Sequence, residues 1–241
     1  MFVSDVLYRR ANVNLIIRRF DAAKEDALAS ITGDSTPINK KAYICAARAA
    51  YELNQFKQCK FYLESALKVD PDNSTLKRDH SRALERMEEQ INGNYNFEAI
   101  TSMLSLENNQ LDNASFARNI QVRETPTHGR GLFAARDIEP GEIVMCEKAF
   151  YLPNKYGERQ DWEDGIFNLL RGDADTRFAA GASLLGGLIT KLYNNPSLNA
   201  EYLDNYGGDY ERSGKEGTVI DGVPVVDVFL VECIRQKNCF R

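Results

Sequence analysis

Thr127-His128-Gly129-Arg130-Gly131-Leu132-Phe133-Ala134-Ala135 decides how the second half of this 241-residue chain is read. Two glycines flank one arginine, and an apolar run follows at once. Gly129 and Gly131 permit a tight backbone loop with main-chain amides accessible to a ligand, and the run behind them has the length of a short strand. Asp137-Ile138-Glu139-Pro140-Gly141-Glu142 then supplies a Pro-Gly turn, and 142–148 the next strand. Upstream, Ile120 and Val122 alternate with polar residues, so three short strands are expected to open a β-meander. Such strands fold only as part of a larger sheet.

Beyond the meander the pattern turns helical, with helices expected over 162–171, 175–193 and 197–206. Ala179, Ala180, Gly181, Ala182, Gly186 and Gly187 read as a close helix contact, because small residues let helices approach. A Gly207-Gly208-Asp209 loop, an extended stretch over 218–227 and a last helix over 228–235 complete the pattern.

The N-terminal part is a repeat. Arg19-Phe20-Asp21-Ala22-Ala23 superposes on Gln55-Phe56-Lys57-Gln58-Cys59 at a shift of 36 residues, close to the tetratricopeptide (TPR) period of about 34. Tyr43, Ala47, Phe56, Cys59, Ala66 and Pro71 fall where the TPR pattern places bulky, small, aromatic, small, small and proline residues. A third helix over 74–90 gathers Leu76, His80, Ala83, Leu84 and Met87 on one face and leaves Arg82, Arg86 and Glu88 outside it. It reads as a cap or a degenerate third repeat. Residues 92–115 are polar and asparagine-rich, a linker with one short helix around 97–106.

The charge is uneven: 15 Lys+Arg against 13 Asp+Glu through Tyr95, then 15 against 22. The acidic second half reads as a solvated surface, so no direct nucleic-acid partner is expected. Five cysteines, Cys45, Cys59, Cys146, Cys233 and Cys239, show no CxxC spacing, which fits thiols in a reducing compartment and no zinc cluster. No apolar run has the length of a membrane span, and Asp5, Asp21, Glu25 and Asp26 argue against a targeting helix at the N-terminus. The chain is therefore expected to be soluble and intracellular. Lys40-Lys41 and Arg9-Arg10 are too short to decide between nucleus and cytoplasm.

The stretch 127–135, the Pro-Gly turn and Glu147-Lys148-Ala149-Phe150 together resemble the start of a SET domain, the protein-lysine methyltransferase fold. Joined to the TPR-like segment, they resemble the fungal TPR-SET proteins, relatives of the SET-and-MYND lysine methyltransferases. The resemblance implies an α+β chain: TPR-like helical hairpins with a capping helix over 1–91, a linker over 92–118, and the N-terminal part of a β-rich SET domain over 119–241 with a helical insertion at about 160–206. The Cys and His ligands of a MYND zinc module are absent between Phe150 and Tyr210, so no metal site is expected.

By the same resemblance the cofactor is S-adenosyl-L-methionine, with His128, Gly129, Arg130, Gly131 and Leu132 supplying contacts to its methionine end and Asn238 a polar contact beside it. Asn238-Cys239-Phe240 resembles the Asn-x-Phe that follows the last helix in SET proteins. The family pattern continues with an Asn-His-Ser-Cys segment and a catalytic tyrosine. Neither His80 nor His128 follows an asparagine, so that segment has no counterpart here, no catalytic residue is assigned, and the chain alone is expected to be inactive. Expected partners are a protein or peptide in the TPR groove and a histone or other lysine-bearing substrate. Binding of a chaperone tail is not expected, because Cys45 stands where the second repeat would need an asparagine to match Asn12. The alternatives are a noncatalytic TPR-mediated interaction module, or a degenerate or truncated SET protein whose sheet edges are exposed.

Overall fold

The computed structural model describes residues 2–33, 37–105, 111–127, 129–152, 176–220 and 223–238, and for 37, 176–183, 237 and 238 the backbone alone. Six helices come first: α1 (Phe2–Ile16), α2 (Phe20–Ala29), α3 (Pro37–Glu52), α4 (Phe56–Val69), α5 (Ser74–Asn92) and α6 (Phe97–Ser102). An antiparallel hairpin follows, β1 (Ile120–Thr125) with β2 (Gly129–Ala134). Then come α7 (Thr176–Asn194), a 3-10 turn (Pro196–Leu198), α8 (Asn199–Leu203), a second hairpin of β3 (Val219–Ile220) with β4 (Val223–Pro224), and α9 (Val228–Asn238). Helices with small antiparallel sheets make the chain mixed α and β, compatible with the α+β class. The expected helix over 162–171 lies outside the described residues.

The chain forms two compact units, Met1–Ile31 with Phe150–Arg241, and Thr32–Ala149. In the first, α1 and α2 close on fully buried Ala11, Ala23 and Ala27, small enough for the helices to approach closely. Arg19, which precedes α2, offers no side-chain cap. Asn195 caps α2 instead: its Oδ1 accepts from Phe20 N at 2.7 Å, while its Nδ2 donates to Arg18 O at 3.1 Å and Lys191 O at 3.0 Å. In return, Asp21 Oδ2 accepts from Ser197 N at 2.8 Å, at the start of the 3-10 turn. Each segment thus satisfies an orphan helix donor of the other. Against α7 the ring of Tyr151, which is not in a helix, lies so close to Gly187 that no Cβ would fit, so this glycine admits an aromatic ring where a second helix was expected. Asp227 starts α9 by accepting from Phe229 N and Leu230 N at 2.9 and 3.0 Å, and Leu230, Val231 and Ile234 are buried.

In the second unit Ala47 and Ala50 of α3 share a core with Cys59, Leu63 and Ala66 of α4 and Leu76 and Ala83 of α5. Burial, with a contribution from the Asp79 charge, pushes the Cys59 thiol up to about 12, so it packs as a small apolar group. Helix α4 stops at Val69, with Asp70 extended before Pro71. Asn73 caps α5 by accepting from Leu76 N at 3.1 Å, and Gly93 ends it in the left-handed conformation at φ 69°. A Cβ on Gly93 would lie 3.0 Å from the Phe116 ring, so this glycine serves both the turn and the packing.

The 36-residue shift recurs in the backbone. Arg18 and Asn54 both take positive φ, 59° and 57°. Arg19 N donates to Asn14 O, and Gln55 N to Ala50 O, each at 2.8 Å. Ala23 N donates to Arg19 O, and Cys59 N to Gln55 O, each at 2.9 Å. One turn has been built twice.

Three local expectations need correction. The strand expected over 142–148 is absent: there Cys146 alone pairs, exchanging backbone hydrogen bonds of 2.7 and 2.8 Å with Phe116 as an isolated bridge. On α5, Leu84 is exposed while Arg86 is buried with Glu89, because a guanidinium and a carboxylate that bond each other can enter where an unpaired charge cannot. The last helix runs on through Asn238, so that residue belongs to α9 and does not follow it.

Candidate functional site

The glycine stretch forms strand β2 itself. Its partners run from Ile120↔Ala134 to Thr125↔Gly129, with Gly131 opposite Arg123. Ala135 N donates to Asn119 O at 2.9 Å just beyond the hairpin, and this sets the phase of the ladder. By antiparallel alternation Gly129, Gly131 and Phe133 exchange bonds with β1, while Arg130, Leu132 and Ala134 turn their amides to the opposite edge. The expected tight loop is thereby moved: the chain reverses before Gly129, and the glycines are strand residues.

The two glycines have different surroundings. Gly129 sits at φ 68° with open space where a Cβ would be, and Thr125 Oγ1 donates to its carbonyl at 2.7 Å. A Cβ on Gly131 would lie 3.2 Å from the Phe133 ring, and Arg123 sets its guanidinium 5.7 Å from the centroid of that ring. Phe133 therefore lies over the Gly131 backbone, with Arg123 as a cation–π partner. Neither Arg123 nor Phe133 was singled out from the sequence; their signal was the two-residue spacing from Gly131 to Phe133 beside an arginine on the pairing strand.

Beyond β2 the Pro-Gly turn is present. Glu142 N donates to Glu139 O at 3.1 Å, and Gly141 has φ 93°, the geometry of proline and glycine at the centre of a type II turn. Arg136 grips Glu142 with two bonds of 3.0 and 2.9 Å and reaches Asn119 Oδ1 at 3.2 Å, while Asn119 Nδ2 donates to Ile143 O at 2.8 Å. The Arg136 hydrogen bonds, and then the one from Glu139 N, hold the Glu142 carboxyl below the usual carboxylate range. The turn is thus tied to the base of the hairpin.

Of the candidate cofactor residues, the structure brings Gly129, Arg130, Gly131 and Leu132 together on β2. His128 lies outside the described residues. Asn238 belongs to the other unit, as the last residue of α9. Tyr202 is buried, its hydroxyl donating to Val231 O at 3.3 Å, and Tyr206 is exposed. Asn12 donates back to Tyr8 O of its own helix at 2.9 Å, and Cys45 is buried. Among the described residues no three His, Cys, Asp or Glu side chains gather as a metal site, and no helix is long and apolar enough to cross a membrane.

The densest polar cluster of the second unit was not foreseen. Asp112 accepts from Tyr51 Oη at 2.7 Å, Arg82 Nε at 2.6 Å and Arg86 Nη1 at 3.0 Å. Arg86 also forms a two-bond pair with Glu89, at 2.8 and 2.6 Å, and Glu89 accepts from Ala114 N at 2.7 Å. Burial opposes ionisation of Asp112, yet bonds from Arg82 and Tyr51 with both guanidinium charges outweigh it, so its carboxyl titrates below the ordinary range. Burial, and then the Asp112 bond, push the Tyr51 phenol well above its usual value. Every charge is answered within the cluster, which marks a strap pinned to α3 and α5.

The chain matches no protein-family model. No solved structure matches it. Over 233 residues, 96% of its length, it is 33% identical to a Gibberella zeae protein named "Methyltransferase", and it spans about 31% of that relative.

Proposed function

We propose that the chain is part of an S-adenosyl-L-methionine-dependent protein-lysine N-methyltransferase of the SET type, with its TPR-like hairpins as a protein-binding arm. The observation that carries this reading is the 33% identity to a protein named "Methyltransferase", sustained over 96% of the chain. The hairpin geometry supports it. Leu132 and Arg130 direct amides to the outer edge of β2, and Gly129 has open space where a Cβ would stand. These are properties that a methionine-like end group requires.

When bound, S-adenosyl-L-methionine supplies a methyl group already activated on a sulfonium, ready for in-line displacement. The protein then has to orient a lysine amine and favour its neutral form. A free lysine has a pKa of about 10.4, and a narrow, partly desolvated channel lowers it. In this reading β2 orients the cofactor. Histones and other lysine-bearing proteins are the substrate class.

A second reading, a noncatalytic interaction module, is favoured by one observation. The Phe133 ring lies over Gly131, so that glycine is explained by packing without any ligand. Calorimetric titration of S-adenosyl-L-methionine into this chain and into the whole Gibberella zeae relative separates the two. The relative is expected to bind, and to lose at least about tenfold in affinity with proline at the position matching Leu132. That change removes one outward amide, and proline is tolerated on a strand edge. A folded relative that ignores the cofactor, beside a chain that binds peptides saturably, would hand the assignment to the second reading.

A further inference from the structure

Asn195, just before the 3-10 turn, and Asn199, which opens α8, are both buried, at 1% and 2% exposure. They are used differently. The Asn195 side chain bonds three protein groups, Phe20 N, Arg18 O and Lys191 O. The Asn199 side chain bonds nothing among the described residues, at Oδ1 or at Nδ2. The loop through Gly217 covers this stretch of α8. Gly217 has φ 76°, and a Cβ on it would lie 3.1 Å from Leu203 Cδ1 and 3.5 Å from Asn199 Cβ, so the loop leaves no more than a methyl-sized space against the helix. On their outer side Leu203 and Gly217 help to line an open hollow of about 460 Å³, with Pro196, Ala200, Asp204 and Arg212.

We infer that Asn199 is the binding site of one internal water molecule, held beneath the Gly217 loop and drawn from that hollow. The water donates to Oδ1, and Nδ2 donates to the water. A buried carboxamide with neither atom paired costs a sizeable share of a domain's net stability, so interior polar groups that protein atoms do not reach are bonded to ordered water. A primary amide sets an N–H beside its carbonyl, and a single water closes a ring with both. Size selects water over a larger ligand, because a methyl-sized space admits nothing bulkier. Chemistry selects it over a metal ion: the amide is neutral, and among the described residues no three His, Cys, Asp or Glu side chains gather. The water is thus a fixed part of this unit, completing a polar contact that the chain itself leaves open.

The test uses the whole chain, isotopically labelled at nitrogen, in solution. The Asn199 side-chain amide signals are assigned by their loss in Asn199→Leu, or in Asn199→Ser should the leucine variant not fold. At the water frequency they are expected to show nuclear Overhauser and rotating-frame cross peaks of opposite sign, the mark of a water that stays bound as the protein tumbles. Asn199→Leu keeps the shape of the side chain but empties the place of the water, so the melting temperature is expected to fall. Had the amide been unpaired, the same change would raise it. Missing cross peaks, cross peaks of one sign, or a higher melting temperature for Asn199→Leu would overturn the inference. So would a crystal structure in which another group of the protein reaches Oδ1 or Nδ2, or in which the density at the amide is larger than a water.

Discussion

Arg18 and Asn54 hold equivalent places in the two turns but differ in how well they suit them. Both sit in the left-handed region, at φ 59° and 57°. A side chain with a Cβ is strained there by about 1–2 kcal/mol, less for asparagine. Arg18→Gly is therefore expected to raise stability by about 0.5–1 kcal/mol, after allowing for the greater freedom of glycine in the unfolded chain. Asn54→Gly should gain less. Urea unfolding of the two variants checks this, and a destabilised Arg18→Gly would show that the arginine side chain contributes more than its backbone costs. The turn positions were legible as a 36-residue shift, but which residue would adopt positive φ was not. Neither Arg18 nor Asn54 is a glycine, and local sequence gives little warning of a strained arginine.

Helix α5 shows where pattern reading stops. Its ends and its apolar residues Leu76 and Ala83 were readable, because periodicity reports apolar side chains directly. Arg86 was assigned to the wrong side because a binary pattern counts every charge as exposed; its burial depends on Glu89 and Asp112, whose carboxylates the pattern does not pair with it. The strand expected over 142–148 failed for a related reason, since extended propensity needs a partner and, among the described residues, only Phe116 pairs with it. At the candidate site the residue types on β2 were readable, whereas the pairing that turns alternate amides outward had to be seen.

The Asp112 cluster also carries a pH dependence. Because the folded-state carboxyl titrates below its unfolded value, its ionised form favours the fold. That contribution is complete above about pH 4, the ordinary aspartate value, and fades as the pH falls through the lower folded value. Asp112→Asn is expected to cost about 2 kcal/mol at pH 7, through lost bonds to two guanidinium groups. The gap between variant and wild type should shrink on acidification toward pH 3. A gap in urea midpoints that does not change with pH would show that Asp112 is not acting through its charge.

The first compact unit is discontinuous, Met1–Ile31 with Phe150–Arg241, and the second, Thr32–Ala149, is continuous between them. A fragment covering 32–149 is accordingly expected to fold alone, with cooperative thermal unfolding. Removal of 1–31 should leave the rest with a second, weaker transition, because Asn195 and Ser197 lose Phe20 and Asp21. Hydrogen exchange of each fragment reads this directly. Equal protection of 176–238 with and without the first hairpin would show that the capping pair adds nothing.

Phe20 and Asn195 are separated by 175 positions. At a ribosomal pace of about 5–20 residues per second, α2 emerges about 10–35 s before the side chain that closes its first turn exists. The intervening unit has time to fold on the nascent chain, while the first turn of α2 waits with its donor uncapped.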